Sequence, residues 1–520
     1  MRILWIQPWG FADYSQIDRF RKGYLKKLSL PRVMFEVLYF VAGLADFEIL
    51  DFNLELLENS RKNAKQILQE KLQSKLFDAI FLTFPTVALG NIVGEVINWC
   101  KELSPQTPLV VGGEAVELMG EDIMNFWPID YLYHGYGQEM PELLKQIACP
   151  EKFQEIAGLY RRQGNHIIAP KIKRGKTKLL DNYSPQDLYT LKGQFNFQDY
   201  LERYKKIGIQ PSAFLEMMRG CSHHCTFCAI NKSQTVLFRQ PETVATEAEF
   251  LLQHDIHDFY LIDPTLGLNK KLTDSLLDSL TEIKSRNAKL SILGVTRTNL
   301  VTDSFAQRLK QAGFGSIGLG IETMTDCQLS KIQKKVVPEQ SKESVLILHR
   351  QGIRPKLFLI HFPDIFSMET IKFLLELAQE KVNFLVQSSF FRPLYQKGQF
   401  AQTPDFRRFD QRIDCRSLNL DTANSIVEWL LVNLAFPSTD VNSQQGDPEL
   451  LKILEQTNLT GIKIPQQFKS LLLRLNKNKY YLYKPAEDCN YLKPNLWVGD
   501  DYNETELSGV TILDLSKGGE

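Results

Sequence analysis

Short, almost continuously apolar runs alternate with amphipathic stretches along the first 150 residues. The runs Arg2–Gln7, Phe47–Asp51, Asp78–Phe84, Pro108–Gly112 and Tyr131–His134 predict strands. Apolar positions at helical spacing predict helices near Pro31–Ala45, Leu54–Leu76, Leu89–Glu102, Val116–Phe126 and Pro141–Ala148. Strands that are apolar throughout need cover on both faces, so this alternation predicts a doubly wound parallel sheet. Ligands of such sheets sit beyond the carboxyl ends of the strands. The segment Pro8–Pro31 is long for a strand–helix loop and predicts a cover over a ligand or a contact to the next domain.

The alternation lapses over 151–205. There Ile156–Arg161 and His166–Ala169 read as a hairpin, and the basic run Lys171–Lys178 as a solvated linker. It restarts with strands at Phe214–Met218, Phe259–Asp263, Lys289–Val295, Ser316–Ile321, Leu357–Ile360 and Phe384–Ser388. The helices between them are Glu242–Gln253, Leu272–Arg286, Ser304–Ala312, Glu339–Gln351 and Met368–Glu380. This series predicts a partial (β/α)6 barrel, whose catalytic groups belong at the C-terminal ends of its strands. From about 401 the pattern is mixed α+β, with helices at Ala423–Leu434 and Pro448–Glu455 and strands at Tyr480–Lys484 and Leu496–Gly499. The expected organisation is therefore an α/β chain in four parts. A sheet domain spans 1–150, a connecting module 151–205 and the barrel 206–400. Residues 401–520 close the barrel or shape a substrate pocket.

Composition narrows the function classes. Apolar content of 43% and charge of 23% suit a packed globular chain. The 61 basic residues balance 61 acidic ones, which leaves no electrostatic case for nucleic acid or an anionic membrane. No membrane span is expected, because the most apolar stretch, Phe35 to Leu50, is interrupted by Glu36, Asp46 and Glu48. The start, Met1 to Pro8, is broken too soon for a signal peptide, so a cytoplasmic location is expected.

Three of the eight cysteines, Cys221, Cys225 and Cys228, share one eight-residue window with spacing C-x3-C-x2-C. Such a cluster in a chain without an export signal points to a metal before a disulfide. Three thiolates on one loop can hold three corners of an iron–sulfur cube and leave the fourth iron open, where such clusters usually take four cysteines. The alternative from the residues alone is a structural zinc site completed by His223 or His224, although no second ligand pair lies nearby.

The window Met218 to Ile230 resembles the cysteine loop of the radical S-adenosylmethionine (SAM) enzymes, which commonly carry an aromatic residue before the last cysteine, here Phe227. The resemblance implies a 4Fe-4S cluster on the three cysteines, with SAM chelating the open iron. It implies further SAM contacts at strand ends, here Asp263, Arg297 and Glu322. His361-Phe-Pro-Asp364 stands where relatives often have a glycine–leucine–proline–glycine turn; His361 reads as a proton carrier or as a packed histidine.

The first domain, read as flavodoxin/Rossmann-like, resembles the cobalamin-binding domain found ahead of many radical SAM domains. The turns that carry the likeness are Thr83-Phe-Pro-Thr86, Val110-Val-Gly-Gly-Glu114 and His134-Gly-Tyr-Gly-Gln-Glu139. It implies cobalamin contacts at Thr83, Thr86, Gly112, Gly113, Gly135, Tyr136 and Gly137. The D-x-H-x-x-G loop of some cobalamin proteins is absent, and no histidine precedes His134, so the lower face of cobalt is expected open or water-bound. Tyr136 replaces a more usual acidic residue.

Together these resemblances imply reductive cleavage of SAM to a 5′-deoxyadenosyl radical, with cobalamin relaying a methyl group to carbon in the methylating relatives. The substrate would be a small molecule or peptide, and the electrons would come from a donor such as flavodoxin or ferredoxin. A radical rearrangement, cyclisation or oxidation, with cobalamin in another role or absent, is the alternative. A non-catalytic metal-binding scaffold is the remote one.

Overall fold

The computed structural model describes residues 1–9, 27–59, 61–151, 155–170, 183–232, 236–362, 367–391, 398 and 400–403. Beyond these it describes Val432 and four strands of the last part.

The first sheet has seven strands. Five are parallel, in the spatial order Asp46–Asp51, Arg2–Gln7, Ala79–Thr83, Leu109–Gly112, Tyr131–Tyr133. The hairpin Leu159–Gln163 and His166–Ile168 then extends the sheet antiparallel from Tyr131–Tyr133. The hairpin expected in the connecting segment thus exists but belongs to this sheet. Two long helices expected from periodicity are each broken in two. Leu54–Leu76 becomes Phe52–Glu58 and Ala64–Ser74, the second opened by a capping box between Asn63 and Gln66. Val116–Phe126 becomes Glu114–Met119 and Asp122–Phe126, separated where Gly120 takes φ +56°.

The second sheet holds six parallel strands in chain order: Gln210–Leu215, Asp258–Leu261, Ser291–Thr296, Phe314–Glu322, Arg354–His361 and Leu385–Phe390. A seventh, Lys27–Ser29, pairs parallel with Gln210–Ser212 at one edge. The end of the segment read as a loop, Pro8–Pro31, therefore makes the contact to the barrel; Gly10 to Lys26 lie outside the described residues. The expected strand Phe214–Met218 stops at Leu215, and Met218–Arg219 pairs instead with Leu237–Phe238. The expected helices at Ala423–Leu434, apart from Val432, and at Pro448–Glu455 lie outside the described residues, as does Lys171–Lys178. Strands at Lys479–Tyr483 and Asn495–Trp497 join Leu471–Asn476 and Thr511–Asp514 in an antiparallel sheet.

One hydrophobic cluster runs through both large sheets. Phe35, on the helix Arg32–Val41, packs at 5.1 Å from Tyr189 and edge-on to Phe197 and Tyr200. Tyr189 in turn stacks at 5.7 Å on Phe250 of the barrel helix Pro241–Gln253. Each such ring, fully buried, contributes about 1.5–3 kcal/mol. This shared core fixes the helix Arg32–Val41 against the barrel, and with it the carboxyl ends of the first sheet.

Candidate functional site

The cysteine loop is the excursion between the two strands of the ribbon Met218–Arg219 and Leu237–Phe238. Asp263 anchors its lead-in: one carboxylate oxygen accepts the backbone N–H groups of Met217 at 2.8 Å and Met218 at 3.0 Å. Burial pushes this carboxyl up to about 7 against those two donors, and Oδ2 is buried without a partner. Asp263 thus sits beneath the loop it was expected to accompany.

All three cysteines are free thiols; Cys225 is buried, and Cys221 and Cys228 are half-buried. The N–H of Cys228 donates to the Cys225 carbonyl at 3.2 Å, and that of Thr226 to Ile332 at 3.1 Å. Arg297, just past the third barrel strand, donates from Nη1 to Cys225 Sγ at 3.4 Å and from Nη2 to the carbonyl of Lys334. The Lys334 ammonium donates to Glu322 at 2.6 Å and stands 5.7 Å from the Phe227 ring centroid. Thr265 brings its hydroxyl to 3.6 Å from Cys221 Sγ. Of the four residues expected around SAM, Arg297, Glu322 and Phe227 therefore meet around Lys334, and Arg297 alone of them contacts Cys225 Sγ.

Lys334 and Thr265 were not expected from the sequence. Lys334 lies in a loop with no strand-end signal, although its distance of twelve residues from Glu322 follows a glycine-rich strand end. Glu322 has φ +64° at an irregularity in the strand pairing, a strained conformation for a non-glycine residue. A Cβ on Gly320 would strike both the Lys334 ammonium and the Glu322 carboxylate, so the glycine clears the ion pair's path.

The surroundings suit thiolates. Arg297 and Lys334 bring positive charge to the loop; burial, and then these cations, hold the His223 imidazole below its usual pKa. Among the described residues no three His, Cys, Asp or Glu side chains are already grouped as a metal site. His361 is buried at the end of the fifth barrel strand; Pro363 and Asp364 lie outside the described residues.

The carboxyl ends of the first sheet border a small cavity lined by Trp5, Val37, Thr83, Gly112, Gly113 and Gly135, among others. The Thr83 hydroxyl on this wall is buried and has no hydrogen-bond partner among the described residues. Thr86 is exposed and is not among the lining residues. Gly113, with φ +128°, passes close to the Phe84 carbonyl, and Gly137, with φ +100°, packs on Phe40. These two glycines are required by the chain's own packing whether or not a ligand binds.

A buried charge network joins this region to the cysteine loop. The Tyr136 ring lies 4.4 Å from the guanidinium of Arg219, two residues before Cys221. Arg219 donates to Glu216 at 2.6 Å and to Glu36 at 2.9 Å. Glu36 also accepts from Arg32 at 2.9 Å. Burial alone would raise the Glu36 carboxyl, but Arg219 and Arg32 outweigh it and hold it at about 2. Arg32 pairs with Glu247, which accepts from Arg239 at 2.9 Å and from Tyr189 at 2.9 Å.

Residues 215–378 match the family described as the radical SAM superfamily, so the chain carries a radical SAM domain. It is 25% identical over 326 residues to an uncharacterised methyltransferase of Pyrococcus horikoshii, covering 60% of this chain and 67% of that one. It is 23% identical over 282 residues to the hopanoid C-3 methylase of Methylococcus capsulatus, covering 52% of this chain and 51% of the methylase. Among solved structures it is similar to the radical SAM methyltransferase TsrM of Kitasatospora setae, with cobalamin and a [4Fe-4S] cluster bound. There the TM-score is 0.57 at 16% identity, covering 75% of each chain. It is also similar to the cobalamin-dependent radical enzyme OxsB, with aqua-cobalamin and SAM bound, at TM-score 0.53 and 17% identity, covering 72% of this chain and 51% of that one. At these identities the solved structures establish a shared fold.

Proposed function

We propose that this radical SAM chain is a cobalamin-dependent enzyme that C-methylates an unactivated carbon of a small molecule or peptide. The observation that carries the proposal is the contact of Tyr136, on the last glycine turn of the first sheet, with Arg219, the residue that leads into the cysteines. It brings the turn after the last parallel strand of the first sheet against the cysteine loop, which supports reading that sheet as a cofactor-binding domain. The names of the hopanoid methylase and of TsrM support methyl transfer as the outcome.

When bound, the cluster and SAM supply a carbon-centred radical, and cobalamin supplies the methyl group. The chain's own residues do the rest. Cys221, Cys225 and Cys228 hold the cluster, and Arg297 donates to Cys225 Sγ, which stabilises negative charge there. Glu322, Phe227 and Lys334, joined beside the cysteine loop, would contact SAM, while Asp263 holds the loop's lead-in. Thr83 offers its spare hydroxyl to cobalamin, with Gly112, Gly113, Gly135, Tyr136 and Gly137 shaping the turns around it and Thr86 at the outer rim. No helix among the described residues is long and apolar enough to cross a membrane; the proposal places the enzyme in the cytoplasm, with electrons from a donor such as flavodoxin or ferredoxin.

The test is anaerobic reconstitution with iron, sulfide and hydroxocobalamin, followed by metal analysis and turnover with methyl-labelled SAM. About four irons and one cobalt per chain, with label appearing in product, are expected. Cys225→Ala should lose iron and deoxyadenosine release together. Iron without cobalt, or product without label, would overturn the methyl-transfer reading. Deoxyadenosine from the Cys225→Ala protein would overturn the site.

A further inference from the structure

The concave face of the half-barrel carries two cations that the chemistry above does not use. Along the strand Arg354–His361, Pro355, Leu357, Leu359 and His361 are buried, while Arg354, Lys356, Phe358 and Ile360 are half-buried on the opposite face. The neighbouring strand shows which face this is. A Cβ on Gly318 would strike the Phe358 ring, and a Cβ on Gly320 would strike Lys334 and Glu322. Gly318 and Gly320 are two apart and so share a face. Arg354, Lys356 and Phe358 therefore lie on the face that carries the Glu322–Lys334 pair and the cysteine loop.

Neither cation has a carboxylate partner among the described residues. Among those residues Arg354 Nε is buried with no acceptor, and the Lys356 ammonium has only the Phe358 ring, 5.6 Å from its centroid. Burial lowers both pKa values, with no anion nearby to oppose it. The neighbours across the strands are Ser316 beside Arg354, and Gly318 and Leu385 beside Lys356, none of them acidic. Cations half-withdrawn from water without a counter-ion lose stability unless a ligand supplies the anion.

We propose that Arg354 and Lys356 form an anion subsite for the substrate, which therefore bears a carboxylate or phosphate. Glu322 pairs with Leu359, three residues beyond Lys356, so on the radical SAM reading the acid lies about 10 Å along the strand from the SAM-side residue Glu322, at roughly 3.3 Å per residue. Only this last distance rests on the radical SAM reading; the subsite stands on the cations themselves.

The test is competitive acetylation of the full-length reconstituted protein with an N-hydroxysuccinimide ester, read lysine by lysine by mass spectrometry. Sodium phosphate, sodium malonate and sodium chloride are compared at one ionic strength. Phosphate or malonate should slow acetylation of Lys356 about fivefold or more, and leave the exposed Lys270 unchanged. Protection by phosphate alone assigns a phosphorylated substrate, and by malonate alone a carboxylic acid. Arg354→Gln, confirmed as folded by circular dichroism, should weaken the protecting anion about tenfold, the loss of one charge-assisted hydrogen bond. Equal Lys356 rates in all three salts would overturn the subsite. The labelling reads no turnover, so that result would leave the radical SAM reading standing, and failure to cleave SAM would leave the subsite standing.

Discussion

Glu247 is the point at which the first sheet's helix and the barrel are joined by charge, and its replacement by glutamine tests that junction. Its side chain is fully buried and is shared by Arg32 and Arg239, whose side chains are 4% and 1% exposed. Tyr189 donates to the same carboxylate. Glu247→Gln preserves shape and leaves two guanidinium groups buried without their common counter-charge. Removing one partner of a buried pair costs about 3–5 kcal/mol. Each kcal/mol moves the midpoint of a domain of 150–250 residues by roughly 2–4 °C. The thermal transition should therefore fall by roughly 6 °C or more. The control is Glu376→Gln at the exposed Lys342–Glu376 pair, worth under about 1 kcal/mol. The pH dependence adds a second readout. Burial alone would raise the Glu247 carboxyl, but Arg32 and Arg239 hold it below its ordinary value. A depressed carboxyl contributes stability above its unfolded pKa, about 4.3, and loses it as pH falls through the folded value. The gap between wild type and Glu247→Gln should thus be full at pH 7 and close below about pH 4. Calorimetry showing Glu247→Gln within 2 °C of Glu376→Gln at pH 7 would refute the reasoning (~1 kcal/mol or less).

Two further outcomes follow from unpaired groups. Thr83→Val removes a buried hydroxyl that has no partner among the described residues, so the cofactor-free protein should melt at the same temperature or higher, while cobalamin retention weakens about tenfold in equilibrium dialysis; a variant that melts lower and binds normally contradicts the role given to Thr83. The Asp263 carboxyl is raised by burial, so its contribution to stability is complete below its unfolded pKa and declines as pH rises through about 7. Asp263→Asn can still accept the Met217 and Met218 N–H groups, and denaturant titrations should lose that decline; an unchanged slope between pH 6 and about 8 would count against it.

What was legible in the sequence was what is local. The cysteine spacing, the strand–helix alternation and the polar residues at strand ends are each set within a few residues; in the fold Arg297 meets Cys225 Sγ, and Glu322 pairs with Lys334, whose carbonyl Arg297 also holds. Features made by tertiary contact were not legible. Lys27–Ser29 is too short to show a period of two, and it joins a strand 183 residues away. Lys334 reaches Glu322 only because its loop folds back over the cysteines. Asp263, expected as a SAM contact, turns its side chain to backbone donors that no pattern announces. The helices around Gly120 and Asn63 break where a single φ or cap outweighs the periodicity.

Glu36 shows the same limit at its sharpest. In the sequence it only interrupts an apolar stretch and argues against a membrane span. In the fold it is 4% exposed and carries two arginines, one from its own helix and one from the cysteine loop. An apolar residue there would pack, but it would leave Arg219 with Glu216 and a ring as its only partners. Apolar contact is non-directional, whereas a desolvated charge pair is costly to misplace. The helix that bears Glu36 also presents Val37 to the cavity beside Thr83 and Phe40 to Gly137. The position of the glycine turns relative to the cysteine loop is thus held by charge pairs of fixed geometry. That is the placement two cofactors need if a group is to pass between them, and it accounts for the paired side chains Arg32, Glu36, Arg219 and Glu216 where a simpler interface would be apolar.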